Sequence, residues 1–107
     1  MDVDLAADPV LKRIKSALQD MYGDQIDRLI LFGSRARGDA RPDSDYDIAV
    51  FLKSLADTWE QRQRLADLRV TFLDAGAPFL DAKPYPAHAY EERTPLMHEI
   101  RAEGIAL

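Results

Sequence analysis

Apolar residues recur three and four apart at Val10, Leu11, Ile14, Ala17, Leu18 and Met21, the spacing of one buried helix face. Asp8 and Pro9 before them suit an N-cap and a first helical residue, and Gly23 after them suits a stop, so a helix is predicted over 9–22. The period then changes. Residues 26–32 end in four apolar side chains, Leu29 to Phe32, halted by Gly33, which predicts a buried strand. Residues 45–52, with Ile48-Ala49-Val50-Phe51-Leu52, predict a second. Helical spacing returns over 58–75, with Trp59, Leu65, Leu68, Phe72 and Leu73 as its apolar positions and Gly76 behind them. Residues 79–83 predict a short third strand, ended by Pro84 and Pro86. Thr94-Pro95 opens a last helix, whose Leu96, Met97 and Ile100 precede Gly104. Helices that alternate with strands predict an α/β domain, a small mixed β-sheet with helices packed on it. Trp59, Phe72 and Met97 are assigned to its core.

Composition narrows the class. A chain of 107 residues has room for one domain, 1–107, and one modest core. Hydrophobic residues at 47% and charged ones at 31% are those of a globular chain rather than a disordered one. A net charge of −5 argues against general nucleic-acid binding, which calls for a basic stripe. With no cysteine there is neither a disulfide framework nor a thiolate metal site. The first ten residues are acidic where a signal peptide is basic, and no apolar run reaches membrane-spanning length, so a cytoplasmic protein without a membrane partner is expected. No repeat or linker marks an internal boundary.

The stretch between the first two strands, GSRARGDARPDSDYD, carries the candidate chemistry. On a strand, Asp45 and Asp47 point the same way and Tyr46 points the other way, toward packing. Two like charges so placed repel unless a proton or cation lies between them, and magnesium, which takes one or two carboxylates and completes its shell with water and substrate phosphate, suits so sparse a ligand set. Gly33 permits close backbone approach, and exposed amides with the Ser34 hydroxyl can donate to phosphate oxygens. Arg35 and Arg37 are candidates to neutralise phosphate charge, with solvation the alternative. Either half of this pattern is common as a turn or a strand end. Jointly, Gly33, Ser34, Gly38, Asp45 and Asp47 arise by chance about once per million start sites at ordinary residue usage, and here a buried strand enters the loop and another leaves it. The combination points to a nucleoside triphosphate bound through metal-bridged phosphates.

The stretch LFGSRARGDARPDSDYDIAV resembles the signature of the minimal nucleotidyltransferases, a branch of the DNA polymerase beta-like superfamily. That signature is a hydrophobic strand, Gly-Ser, a glycine four residues after the serine, and Ser-Asp-x-Asp opening the next strand. The resemblance is close over 26–52 and elsewhere extends only to the order of elements. It implies a polymerase beta-like nucleotidyltransferase fold, Gly33 and Ser34 holding the triphosphate, and Asp45 and Asp47 ligating two magnesium ions. It further implies transfer of a nucleoside monophosphate, AMP from ATP, to a hydroxyl with release of pyrophosphate. No Walker-type or Gly-x-Gly-x-x-Gly motif supports another nucleotide fold.

A two-metal catalyst of this type needs a third carboxylate from a neighbouring strand. Asp81 is the only acidic residue in the third predicted strand, although the apolar run around it is shorter than the family pattern. If Asp81 points elsewhere, the domain binds nucleotide and transfers it poorly. Stand-alone members of the family are often antitoxins paired with a helical HEPN ribonuclease, which they silence by adding AMP to a tyrosine, so the resemblance implies a HEPN-type toxin as partner. The alternative is a partner-binding module that retains the nucleotide site with little or no catalysis. His88 and His98 lack carboxylate partners at metal-ligand spacing and are expected at the surface. Lys53 is expected to guard a sheet edge.

Overall fold

A computed structural model describes residues 8–55, 57–74 and 79–107. Helix α1 spans Pro9–Tyr22, strand β1 Ile26–Phe32, the short helix α2 Ser34–Arg37 and strand β2 Tyr46–Leu52. Helix α3 (Thr58–Asp74), β3 (Leu80–Pro86), α4 (Pro95–Glu103) and β4 (Ile105–Ala106) follow. Asp8 starts α1 as predicted, its Oδ1 accepting from the amides of Val10 at 2.9 Å and Leu11 at 3.2 Å. Thr94 caps α4 in the same way, accepting from the Met97 amide at 3.1 Å.

The four strands form one mixed sheet in the order β3-β2-β1-β4. β1 and β2 are antiparallel, β2 and β3 are parallel with α3 as the crossover, and β4 pairs antiparallel with β1. Strand alternation divides the core into two layers. Leu29 and Leu31 of β1 and Tyr46, Ile48, Val50 and Leu52 of β2 pack against α1 and α3 through Leu11, Ile14, Leu18, Leu65 and Phe72. Ile30, Ala49 and Phe51 face the other way and meet Ala89, Met97 and Ile100.

Three expectations are corrected. β3 does not stop at Lys83 but runs through both prolines to Pro86. An edge strand tolerates this because prolines two residues apart turn their missing donors toward the same unpaired side. Trp59 is not core: it is 70% exposed, because Leu65, Leu68 and Phe72 define the buried stripe of α3 and Trp59 lies about a third of a turn away from Leu65. Lys53 guards no edge, since β2 is an interior strand; its amide donates to the Gln25 carbonyl at 2.8 Å. The predicted stop at Gly76 lies outside the described residues. Phe72 and Met97 are buried as expected.

Candidate active site

Gly33 ends β1 and turns the chain into α2. Its φ of 74° is a left-handed value that disfavours a side chain, and a methyl group there would collide with Asp47 Oδ2. Its carbonyl accepts from the amides of Ala36 and Arg37, both at 3.1 Å, so the chain closes into a single helical turn beginning at Ser34. Gly38 ends that turn at φ 85°, its amide donating to the Ser34 carbonyl at 3.0 Å. Both glycines of the motif are therefore dictated by backbone geometry, and Gly33 additionally by the approach of a carboxylate.

That carboxylate belongs to Asp47, the second residue of β2. Its register partners are Phe32 on β1 and Asp81 on β3, and paired residues on neighbouring strands project from the same face. Asp47 and Asp81 thus stand side by side, next to the Gly33-Ser34 turn. Asp45 precedes the strand by one residue and is exposed. Between them Tyr46 turns to the opposite face, where it is 2% exposed and donates its hydroxyl to Asp8 Oδ2 at 2.6 Å. The half-buried Asp47 carboxyl is pushed above the usual range, first by burial, then by the charges of Asp81 and Asp45, with Glu99 of α4 adding to the rise and Lys83 opposing it. Lys83 Nζ lies 3.9 Å from Asp81 Oδ2.

Among the described residues no three acidic or imidazole groups converge closely enough to hold an ion unaided. The donor set is nevertheless chemically suited to a divalent cation. Folding gathers like charges around a partly desolvated carboxyl, which a cation would relieve, and an open set of carboxylate oxygens leaves room for water and substrate phosphate in the shell.

The two arginines differ in their surroundings: Arg35 is partly buried and Arg37 is exposed. Arg35 is spent on the protein: its Nε and Nη2 donate to the Ser44 carbonyl at 3.1 and 2.9 Å, and Nη2 also to that of Pro42 at 3.1 Å. Its guanidinium lies over the Tyr46 ring at 4.1 Å, on the side away from Asp47. It therefore ties the residue before Asp45 back to the Gly-Ser turn. Arg37 is held by Asp39 at 3.4 Å and, from α4, by Glu103 at 3.4 Å and Glu99 at 3.6 Å. His88 and His98 are exposed, as expected. Sequence reasoning passed over Lys83 and Glu99. Lys83 was within reach, since it stands at i+2 from Asp81 and shares its face, whereas Glu99 depends on how α4 docks and leaves no local signal.

Known proteins share this fold. A solved toxin–antitoxin complex with AMP-PNP contains a chain of the same fold, at TM-score 0.57 and 24% identity, over 89% of this chain and 70% of that one. A mutant of the MntA-HpeT toxin–antitoxin matches at TM-score 0.56 and 25% identity, over 90% of this chain and 70% of that one. A Methanocaldococcus jannaschii protein, provisionally named a protein adenylyltransferase, is 36% identical over 56 residues, which are 52% of this chain. The matched stretch spans 56% of that relative's length, little more than half. The family described as nucleotidyltransferase domain matches residues 11–95, a segment that contains the Gly-Ser turn and all three aspartates, and the chain belongs to that family.

Proposed function

We propose that this nucleotidyltransferase domain moves AMP from ATP to a hydroxyl, that the acceptor is a tyrosine of a HEPN-type toxin, and that the domain acts as its antitoxin. The observation that carries the chemistry is the register of Asp47 with Asp81 beside Gly33, which gathers carboxylates from two strands at a backbone turn. In this reading Asp45, Asp47 and Asp81 hold two magnesium ions, which when bound neutralise the phosphates and lower the proton affinity of the incoming hydroxyl. Gly33 keeps the turn close to the carboxylates, and the Ser34 hydroxyl with the first amides of α2 donates to triphosphate oxygens. Asp81, reached from the open edge of the sheet, accepts the acceptor's proton. Arg35 holds the loop before Asp45, and Arg37 remains with α4. The protein acceptor draws support from the provisional name of the archaeal relative and from the toxin–antitoxin complexes that share the fold.

One observation favours the second reading, a partner-binding module with little catalysis. Lys83 Nζ lies 3.9 Å from Asp81 Oδ2, which sets a cation of the chain's own beside the third carboxylate. Incubation of the chain with ATP labelled at the α-phosphate, magnesium and the product of the adjoining gene separates the two. Label on a tyrosine of that protein, lost on Asp47→Asn, is the expected result. Nucleotide binding without transfer to any offered acceptor would leave the binding module as the function.

A further inference from the structure

Helix α3 has two apolar stripes, and the fold uses one. Leu65, Leu68 and Phe72 pack on the sheet. Trp59, Ala66, Val70 and Leu73, spaced seven, four and three apart, form a second stripe that faces solvent; Trp59 is 70% exposed and Val70 55%. Large exposed apolar side chains in one row on one helix are the mark of a surface that something covers.

One border of this stripe is cationic, while the opposite border carries the exposed Gln63 and Asp67. Arg62 and Arg69 flank it on the side nearest β3, and with Lys83 they line a groove of about 500 Å³ between α3 and the sheet edge, floored by Leu65, Leu80 and Ala82. Among the described residues neither Arg62 nor Arg69 makes an ion pair; Arg69 lies over the exposed Phe79 ring at 5.0 Å. The chain as a whole carries −5, so a concentration of positive charge here runs against the average. Asp81 lines the same groove, which makes the surface continuous with the candidate active site.

We propose that the outer face of α3 and the β3-edge groove dock an amphipathic, acidic helix of the acceptor protein, so that the acceptor hydroxyl is held on the Asp81 side of the site. An apolar helix seam with arginines along its β3 side is complementary to a leucine-type seam with glutamate along the side that meets them. A second copy of this chain fits poorly in the antiparallel two-fold pairing, which would place arginine against arginine. A nucleic-acid strand fits poorly as well, since its backbone has no use for the apolar stripe. The proposal rests on the protein-acceptor reading, yet its test does not depend on catalysis.

Two synthetic helical peptides with one shared leucine face are titrated against the full chain, followed by Trp59 fluorescence and by anisotropy. One peptide has glutamate flanks and the other lysine flanks. The glutamate peptide is expected to bind and the lysine peptide to bind at least about tenfold more weakly. Val70→Glu should abolish binding, and the double change Arg62→Glu with Arg69→Glu should reverse the preference, with melting temperature and magnesium-ATP binding retained because these side chains are exposed and outside the nucleotide machinery. The double change Asp45→Asn with Asp47→Asn should keep peptide binding while losing the nucleotide, so that either reading can fail alone. Equal binding of the two peptides, or binding of neither, overturns the proposal. A concentration-dependent dimer that Val70→Glu dissolves would overturn it too, by giving the face to a second copy, and so would oligonucleotide binding lost with Arg62 and Arg69.

Discussion

The two faces of β2 begin as the same strand and end as different environments. Tyr46, Ile48, Val50 and Leu52 are sealed beneath α1 and α3, each no more than 2% exposed. On the other face Phe51 is equally buried, with Tyr85 and Tyr90 rings 5.6 and 5.4 Å from its own, but toward the start of the strand the cover runs out and Asp47 takes the place of an apolar residue. The difference lies in what each face is packed against. A 14-residue and a 17-residue helix close one side, whereas nine-residue α4 and a single 3-10 turn over Ala87–Glu91 close only part of the other. Stability therefore depends mainly on one face and chemistry on the open end of the other, and substitutions that respect this division should separate the two properties.

The sharpest test removes the charges from the open end. Asp45→Asn with Asp47→Asn should abolish magnesium-dependent ATP binding in calorimetry, while thermal unfolding stays level or moves upward, because a repulsive pair is relieved. The sign of the pH dependence follows from the raised Asp47 carboxyl. A folded-state pKa above the unfolded one contributes stability that is present in acid and lost as pH rises through the folded value. Relative to the parent, Asp47→Asn should thus gain stability as pH climbs out of the usual carboxylate range, and should show no such gain below it. Unchanged ATP affinity in the double variant would break the division at its strongest point.

The complementary cut is on the sealed face. Ile48 is fully buried, so Ile48→Ala should lower unfolding stability by about 2–5 kcal/mol in denaturant titration and leave ATP affinity of the folded fraction unchanged. Asp81→Asn comes next. It should reduce transfer by about a hundredfold while nucleotide binding persists, the size of a general-base contribution. Equal and substantial rates for variant and parent would remove Asp81 from the chemistry and leave Lys83 as its structural partner.

Much of this division could be read from the chain. The boundaries of α1 and β1 follow directly from apolar spacing and capping residues, and both glycines and both aspartates of the motif lie where local backbone rules put them. What failed has physical reasons in each case. Trp59 reads as inward from the sequence because a helix with two apolar stripes gives no single face to read, and only the position of the sheet decides which stripe is covered. Pro84 and Pro86 read as a strand end because their tolerance depends on β3 being an edge, a tertiary fact. β4 has two residues and no pattern of its own; it exists because β1 offers an unpaired side, and the Leu107 amide reaches the Leu29 carbonyl at 2.9 Å. Within the site, the carbonyls six to nine residues downstream that hold the Arg35 guanidinium likewise leave no local signal.

The smallest predicted effect probes the joint between the two faces. Tyr46 sits between the two aspartates in sequence and behind them in space, its hydroxyl on the Asp8 cap of α1 and its ring under Arg35. Tyr46→Phe removes one hydrogen bond and keeps the ring, so stability should fall by only about 1 kcal/mol. Burial and the Asp8 contact push the Tyr46 phenol up to about 12, so the parent should lose this stabilising contribution as pH rises through that value, and the phenylalanine variant should lack that alkaline loss. Because the ring still supports Arg35, and Arg35 still holds the Ser44 carbonyl, transfer should stay within about twofold of the parent. A much larger fall in transfer at unchanged stability would mean that the hydroxyl's bond to Asp8 sets the placement of the carboxylates on either side of it, and the two faces of β2 would then be one mechanical unit rather than two.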